Sequence, residues 1–183
     1  GPITDYTANS GKSISFHFEP ETADMLKKAG FTTLSMANNH SFDQGRQGHP
    51  MTFDYLANVG IKVFGHPDTP NGEFSTAYYE FEDYKIAFLG LNDTDFNLDE
   101  EATLAKIKEL DATANFVIIG IHWGVEYEKE ARQYMVDMAH SFVDSGADLI
   151  WGHHPHVVQN SEVYKGAPIY YSLGNFVFDQ YWS

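Results

Sequence analysis

The 183 residues include no cysteine. Disulfides, thiolate zinc sites and cysteine nucleophiles are thereby excluded. Basic residues are scarce: 11 Lys and Arg stand against 26 Asp and Glu, a formal net charge of −15. Nucleic-acid binding needs clustered cations to meet phosphates. The few here are scattered, so no nucleic-acid partner is expected. No stretch approaches the roughly 18 apolar residues of a membrane span, and no secretory leader opens the chain. The abrupt start at Gly1-Pro2 reads as the edge of a fragment, which leaves the targeting of a longer protein open. What is present is core material. Apolar residues make up 43% of the chain, enough to exclude a disordered one, and the length suits one domain or most of one. The acidity reads as solubility.

Helix-like and strand-like segments alternate, which predicts an α/β fold in two or more packed layers. Glu21 to Ala29 reads as a helix stopped by Gly30, and Thr32 to Ala37 as a strand. Asn38 to Gly48 reads as a polar loop. A helix is expected from Pro50 to Val59 and a short strand over Ile61 to Phe64. Thr76 to Glu82 and Lys85 to Leu91 predict a hairpin turning at Asp83-Tyr84. Asp99 to Leu110 is a predicted helix, and Phe116 to Ile121 a strand buried on both faces. The longest helix is expected over Glu128 to Ser145, with Met138 and Phe142 in the core. Leu149 to Trp151 is the next strand, and Val157 to Tyr164 pairs with Ala167 to Leu173 around Lys165-Gly166.

Three strands end in polar clusters. The first gives Asn38-Asn39-His40, with Asp43 and Gly45 close behind. The second gives His122-Trp123-Gly124 and then Glu126. The third, Ala147 to Trp151, runs into Gly152-His153-His154-Pro155-His156. Ligands of open α/β sheets bind outside the carboxyl ends of strands, so the three ends are expected at one edge. A single histidine there is more often a hydrogen-bonded structural group. Three such ends together point to metal, whose commonest ligand is imidazole. On extended backbone His154 and His156 share a side and His153 points away, behind them. Nitrogen and oxygen donors without sulfur suit manganese, zinc or iron. An amide among ligands from several strands suits two ions, about 3.5–4 Å apart, that clamp a phosphoryl group. Asp43 and Asp148 are candidates to bridge or orient, Asp148 with capping of its strand as the stronger expectation. Trp123 and Tyr127 are expected to line the cleft.

The run Ala37-Asn38-Asn39-His40-Ser41-Phe42-Asp43-Gln44-Gly45 resembles the ANNHxxDxG signature of bacterial capsule-biosynthesis proteins of the CapA/PgsA type, the poly-γ-glutamate capsule family. His122 to Tyr127 is similar to the family's HWGxEY block, Gly152 to Gln159 to its GHHPHVVQ block, and Tyr171 to Asp179 to its closing YSLGNFVFD. The four blocks stand in family order and span nearly the whole chain. The resemblance implies a calcineurin-like metallophosphoesterase fold, a β-sandwich flanked by helices. It implies Asn39 as an amide-oxygen ligand of one ion, His122 as a second ligand of that ion, and His154 and His156 as the closing HxH pair. The family's usual GHxH register makes His153 the alternative to His154. His40 is implied beside the substrate, assisting the leaving group, with Asp43 and Glu126 bracing ligands or touching substrate.

The family opens with a strand carrying a GD aspartate and an NLE block shortly before GPIT. This chain begins at Gly1-Pro2-Ile3-Thr4. Residues 1–183 are therefore expected to form one N-terminally incomplete domain that lacks its first strand and carries about half of a two-ion site. The implied function is capsule-polymer biosynthesis, with hydrolysis of a phosphoester or related bond. The implied partners are an anionic polymer or phosphoester substrate and membrane-embedded synthase subunits. The implied location is the outer face of the membrane, with the anchor outside this chain. The alternative is a non-catalytic binding or scaffold subunit of a polymer synthase or exporter. A cytosolic nucleotide phosphoesterase has no nucleotide-specific motif to support it.

Overall fold

A computed structural model describes residues 1–8, 11–72, 74–94 and 97–176. The elements in chain order are α1 (Glu21–Lys28), β1 (Thr33–Ser35), α2 (Gly45–Asn58), β2 (Lys62–Phe64), β3 (Thr76–Phe81), β4 (Tyr84–Asn92), α3 (Glu100–Asp111), β5 (Phe116–His122), α4 (Gln133–Asp144), β6 (Leu149–His153), β7 (Ser161–Tyr164) and β8 (Ala167–Tyr170). Among them β1 and β2 form a two-stranded parallel sheet. The other six strands form a mixed sheet in the order β3-β4-β5-β6-β8-β7, with β4, β5, β6 and β8 parallel.

Side-chain alternation along the central strands decides the layers. Leu89 and Leu91 of β4, Ile119 and Ile121 of β5, and Ile150 of β6 face one way. They pack with Ile107 and Leu110 of α3 and Met135 and Phe142 of α4. The opposite face receives the small sheet: the Phe64 ring of β2 lies 5.6 Å from Phe88 and 6.2 Å from Trp151. A separate cluster of Ile3, Ala23, Leu56 and Ile61 packs α1 and α2 on the outside of the small sheet. The result is the expected sandwich of two sheets with helices on both outer faces.

The two sheets approach closely because two positions have no side chain. A Cβ on Gly90 would stand 2.4 Å from the Gly65 Cα. In the register Gly90↔Gly120↔Trp151, the Trp151 ring covers Gly120. The same-facing row one step further along is Asn92↔His122↔His153. The sheet seam therefore ends in imidazoles.

Several expected boundaries shift, each for a local reason. The polar loop after Asn38 ends early, because α2 begins at Gly45 and holds Pro50 inside it, where the proline removes only one backbone donor. The hairpin turns at Glu82-Asp83, with Phe81 opposite Tyr84 and Glu82 at φ 53°. The expectation of the longest helix over Glu128 to Ser145 fails over 128–132, and among the described helices α2, with 14 residues, exceeds α4, with 12. There Gln159 Nε2 donates to the carbonyls of Glu128 (2.9 Å) and Glu130 (3.3 Å), and the Ala131 N–H donates to Asn160 Oδ1. Those backbone groups are engaged by side chains and not by a helical ladder, and α4 starts at Gln133. Met138 is only partly buried, whereas Phe142 is fully in the core. Asp148 caps a strand start as expected, its Oδ2 accepting from the Val117 N–H at 2.8 Å. Val177 to Asp179 of the closing block lie outside the described residues.

Two measurements follow from this packing. A Cβ at Gly152 would meet the Tyr171 carbonyl oxygen at 2.0 Å and Trp123 Nε1 at 2.3 Å. Both neighbours are held, since Trp123 Nε1 donates to that carbonyl at 2.8 Å. Gly152→Ala is expected to destabilise by about 3 kcal/mol, the upper range for overpacking, in urea denaturation. The second concerns His49 of α2, which is buried among Phe42, Phe53 and His66, with Nε2 lacking a hydrogen-bond partner. Burial, reinforced by His66, pushes its pKa down to about 4. The unfolded chain binds this proton near pH 6.5 and the folded chain does not. Stability is thus full above pH 6.5 and is lost as pH falls toward 4, by roughly 3 kcal/mol from this group. His49→Phe should flatten that part of the stability–pH curve; an unchanged slope refutes the assignment.

Candidate metal-type site at the sheet seam

The three strand ends do meet, but not as ends of one sheet. β1 belongs to the small sheet, and β5 and β6 to the large one. The turn after β1 is built by Asn38, whose Oδ1 accepts from the His40 N–H at 2.9 Å, and by Ser41, whose hydroxyl donates to the Met36 carbonyl. This local wiring, typical of Asn in turns, carries Asn39 across the seam. Asn39 Oδ1 lies 3.0 Å from His122 Nε2.

Around His122 the other imidazoles gather. His153 Nδ1 is 2.5 Å from His122 Nδ1, and the His154 ring lies 4.6 Å from the His122 ring. The His154 and His156 rings are 6.2 Å apart. His156 Nδ1 is 2.7 Å from Asn175 Oδ1, and its Nε2 is 4.0 Å from Glu126 Oε1. Tyr127 stacks on His156 at 6.0 Å. The expected i, i+2 arrangement is corrected here. β6 continues through His153, and the chain leaves extended geometry at His154 (φ 109°) and His156 (φ 62°). His153 therefore does not point away behind the ligands; it lies in the row with His122. Trp123 is also corrected: it is fully buried in the core, stacked on Tyr171, and does not line the cleft. Tyr127 is half exposed at the rim.

His40 sits on the other side, its Nδ1 donating to Asp43 Oδ2 at 2.7 Å. Asp43 is fully buried and also accepts from the Phe16 N–H at 2.8 Å, with Lys12 Nζ 3.5 Å from its Oδ1. Lys12 also donates to the Asn39 carbonyl. Sequence reasoning did not single out Lys12, Asn92 or Asn175. Asn92 closes β4 beside His122 and ties down the loop that follows β2, its Nδ2 donating to the Pro67 carbonyl at 2.9 Å. A strand ending in Asn beside two ending in His was the available signal for it. Lys12 lies in a loop whose sequence carries no signal.

Burial favours the uncharged imidazole. His122 is held well below its ordinary pKa by burial and then by the neighbouring histidines, and burial with His154 lowers His153 to about 4. Both rings are neutral at physiological pH, with lone pairs able to bind a cation. Neutral nitrogen plus amide oxygen fits manganese, zinc or iron in donor type. Among the described residues, however, no three His, Asp or Glu side chains are placed to hold one ion between them. The donor types suit such an ion, but the described side chains alone do not close a site around it. Beside it runs a groove of about 670 Å³, lined by Met25, Leu26, Phe31 and Leu34 on one side and by the histidines on the other.

Comparison with known proteins gives this geometry its context. The sequence profile of the family described as bacterial capsule synthesis protein PGA_cap matches residues 1–180. The PGA biosynthesis protein CapA of Bacillus subtilis (strain 168) is 34% identical over 199 residues, covering 100% of this chain and 52% of that protein. The capsule biosynthesis protein CapA of Bacillus anthracis is 33% identical over 189 residues, covering 94% of this chain and 46% of that protein. The chain thus spans about half the length of the curated relatives it matches. Among solved structures, a Staphylococcus aureus protein assigned as a 5′-nucleotidase superposes with a TM-score of 0.62 at 16% identity, over 83% of this chain and 34% of that one. At that identity the likeness shows the fold, which is metallophosphoesterase-like. The chain belongs to the bacterial capsule synthesis protein family, PGA_cap.

Proposed function

We propose that the seam site is a divalent-cation site serving hydrolysis of a phosphoester or related bond in the biosynthesis of a poly-γ-glutamate-type capsule. The observation that carries this reading is the facing pair Asn39 Oδ1 and His122 Nε2, 3.0 Å apart, with His154 and His156 beside it. Manganese, zinc or iron held there supplies Lewis-acid polarisation of a phosphoryl oxygen. In this reading Asn39 and His122 would hold one ion, and His154 and His156 would each face one ion of a two-ion site. Asp43 fixes the His40 ring through Nδ1, so that Nε2 is the nitrogen left to pass a proton to the leaving group. Glu126, at the rim by His156, contacts substrate or steadies that ring.

The missing anionic donors belong, in this reading, to a segment outside the chain. Among the described residues β1 pairs only with β2, so its other edge is open, and the apolar groove lies against Leu34. A further strand added there ends at the histidines and brings the carboxylates of a two-ion site. Residues 1–183 are then most of one domain, tethered at the outer membrane face by a segment elsewhere in the protein. Its partners are membrane-embedded synthase subunits and an anionic polymer or phosphoester. A second reading is a non-catalytic scaffold subunit, which draws support from the lack of three converging ligands among the described residues.

Two measurements separate these readings. This chain alone is expected to bind manganese or zinc weakly and substoichiometrically in titration calorimetry; tight binding of two ions defeats the open-edge proposal. The longer protein is expected to hydrolyse an aryl phosphate with manganese and not without it. There His40→Ala should lower kcat by about 10²–10⁴-fold, as for loss of a proton-transfer group, with bound metal unchanged. A metal-loaded longer protein with no turnover supports the scaffold.

A further inference from the structure

We infer that Arg46 is a specificity-determining contact for an anionic oxygen group of the ligand, a carboxylate or a phosphate, bound beside the seam and not within it. The inference rests on the reading above that this edge receives an anionic polymer or phosphoester. β1 and β2 are parallel and end in register, with Ser35 beside Phe64. The segments that follow them leave at the same end of the small sheet. One is the turn that carries Asn39 and His40; the other is the loop that carries His66 and Asp68. Two contacts join them. The Phe42 ring, two residues past His40, lies 6.1 Å from the His66 ring and 4.6 Å from the Arg46 guanidinium carbon. Pro67, between His66 and Asp68, gives its carbonyl to Asn92, the register neighbour of His122.

Arg46 stands in the first turn of α2, which carries no acidic side chain. One of its terminal nitrogens donates to Asp68 Oδ2 at 2.9 Å, and Asp68 Oδ1 lies 2.6 Å from His66 Nδ1. A guanidinium has five N–H donors in one plane. The Phe42 face and the Asp68 carboxylate fix that plane, yet the Arg46 side chain stays 69% exposed. The cation is thus oriented while most of its donors face water. An oriented fork of this kind is suited to two oxygens of one carboxylate or phosphate. The ion pair with Asp68 is open to solvent on the arginine side and is weakly held, so it steers the fork without closing it. His49, packed against Phe42 and His66, is kept uncharged by burial, so the fixed positive charge here is that of Arg46. The wider field agrees. Residues 1–65, which form the small sheet and its two helices, hold five of the 11 basic residues and only six of the 26 acidic ones. This layer is close to neutral in a chain of formal charge −15, and an anion meets the least repulsion there.

The test is nitrogen-15 NMR of the metal-free chain, following the Arg46 Nε–H and the amides of Asn39 and Asn92. A γ-linked glutamate tetramer and inorganic phosphate are titrated separately at matched ionic strength. At least one should move all three signals to saturation with one dissociation constant, and the tighter of the two names the group. Arg46→Gln should weaken that binding by about 10–100-fold, as for loss of hydrogen bonds to a charged group. Lys27→Gln removes the same charge from the same layer, where Lys27 Nζ donates to the Gly60 carbonyl ahead of β2, at the far end of the small sheet. It should leave the binding unchanged. Three results overturn the inference: no saturable shift with either probe, an equal loss in Lys27→Gln, or movement of Arg46 without Asn39 and Asn92. Binding is read here without metal or turnover, so a longer protein that fails to hydrolyse phosphoesters leaves this result standing.

Discussion

The contact between Gly65 and Gly90 sets how closely the two sheets lie, and the placement of the site follows from that distance. Any side chain at Gly90 would drive into the backbone beneath it. Trp151 can lie over Gly120 for the same reason, that the row holds two glycines and one large ring. One step along the same face, the row is Asn92, His122 and His153. A one-residue slip would turn all three toward α3 and α4, because strand side chains alternate with period two. The buried row of Leu89, Ile119 and Ile150 on the other face opposes that slip, since it would be exposed to the seam instead. Core packing on the helix side thus fixes which way the polar row points.

The acidic composition and the site chemistry are reconciled locally. A chain with formal charge −15 keeps its central imidazoles neutral by burying them, and among the described residues the groups that act on His122 and His153 are other histidines. Asp43, a carboxylate wholly buried at this edge, is matched by His40, the Phe16 N–H and Lys12. Buried carboxylates are tolerated when hydrogen-bonded and paired in this way. Because Lys12 also reaches the Asn39 carbonyl, the 12–16 loop braces both His40 and Asn39.

Much of this was legible in the sequence. The order of helices and strands came from periodicity, and the meeting of Asn39, His122 and the late histidines from strand ends, although those ends belong to two sheets and not to one. What was not legible depended on long-range contacts. Extended backbone was the natural expectation for His154 and His156, and nothing in the local sequence signalled the positive φ both adopt once β6 ends at His153. Trp123 looked like a cleft residue because it follows His122, yet strand alternation sends it to the helix-side core, where Tyr171 receives it. The start of α4 was missed because Gln159 and Asn160, some 30 positions away, claim the backbone groups of 128–131. Asn92 was left at the end of an apolar run, although its register partner is His122.

Tyr127, His154 and His156 all hold left-handed backbone, at φ 65°, 109° and 62°, within one patch. Each such conformation costs a non-glycine residue about 1–3 kcal/mol. Glycine would remove the strain at every one of them. Selection for thermal endurance alone would therefore erode this rim toward glycine, leaving the sandwich intact and the imidazoles gone. A family member with glycines here would have exchanged chemistry for durability, and its fold would not betray the loss.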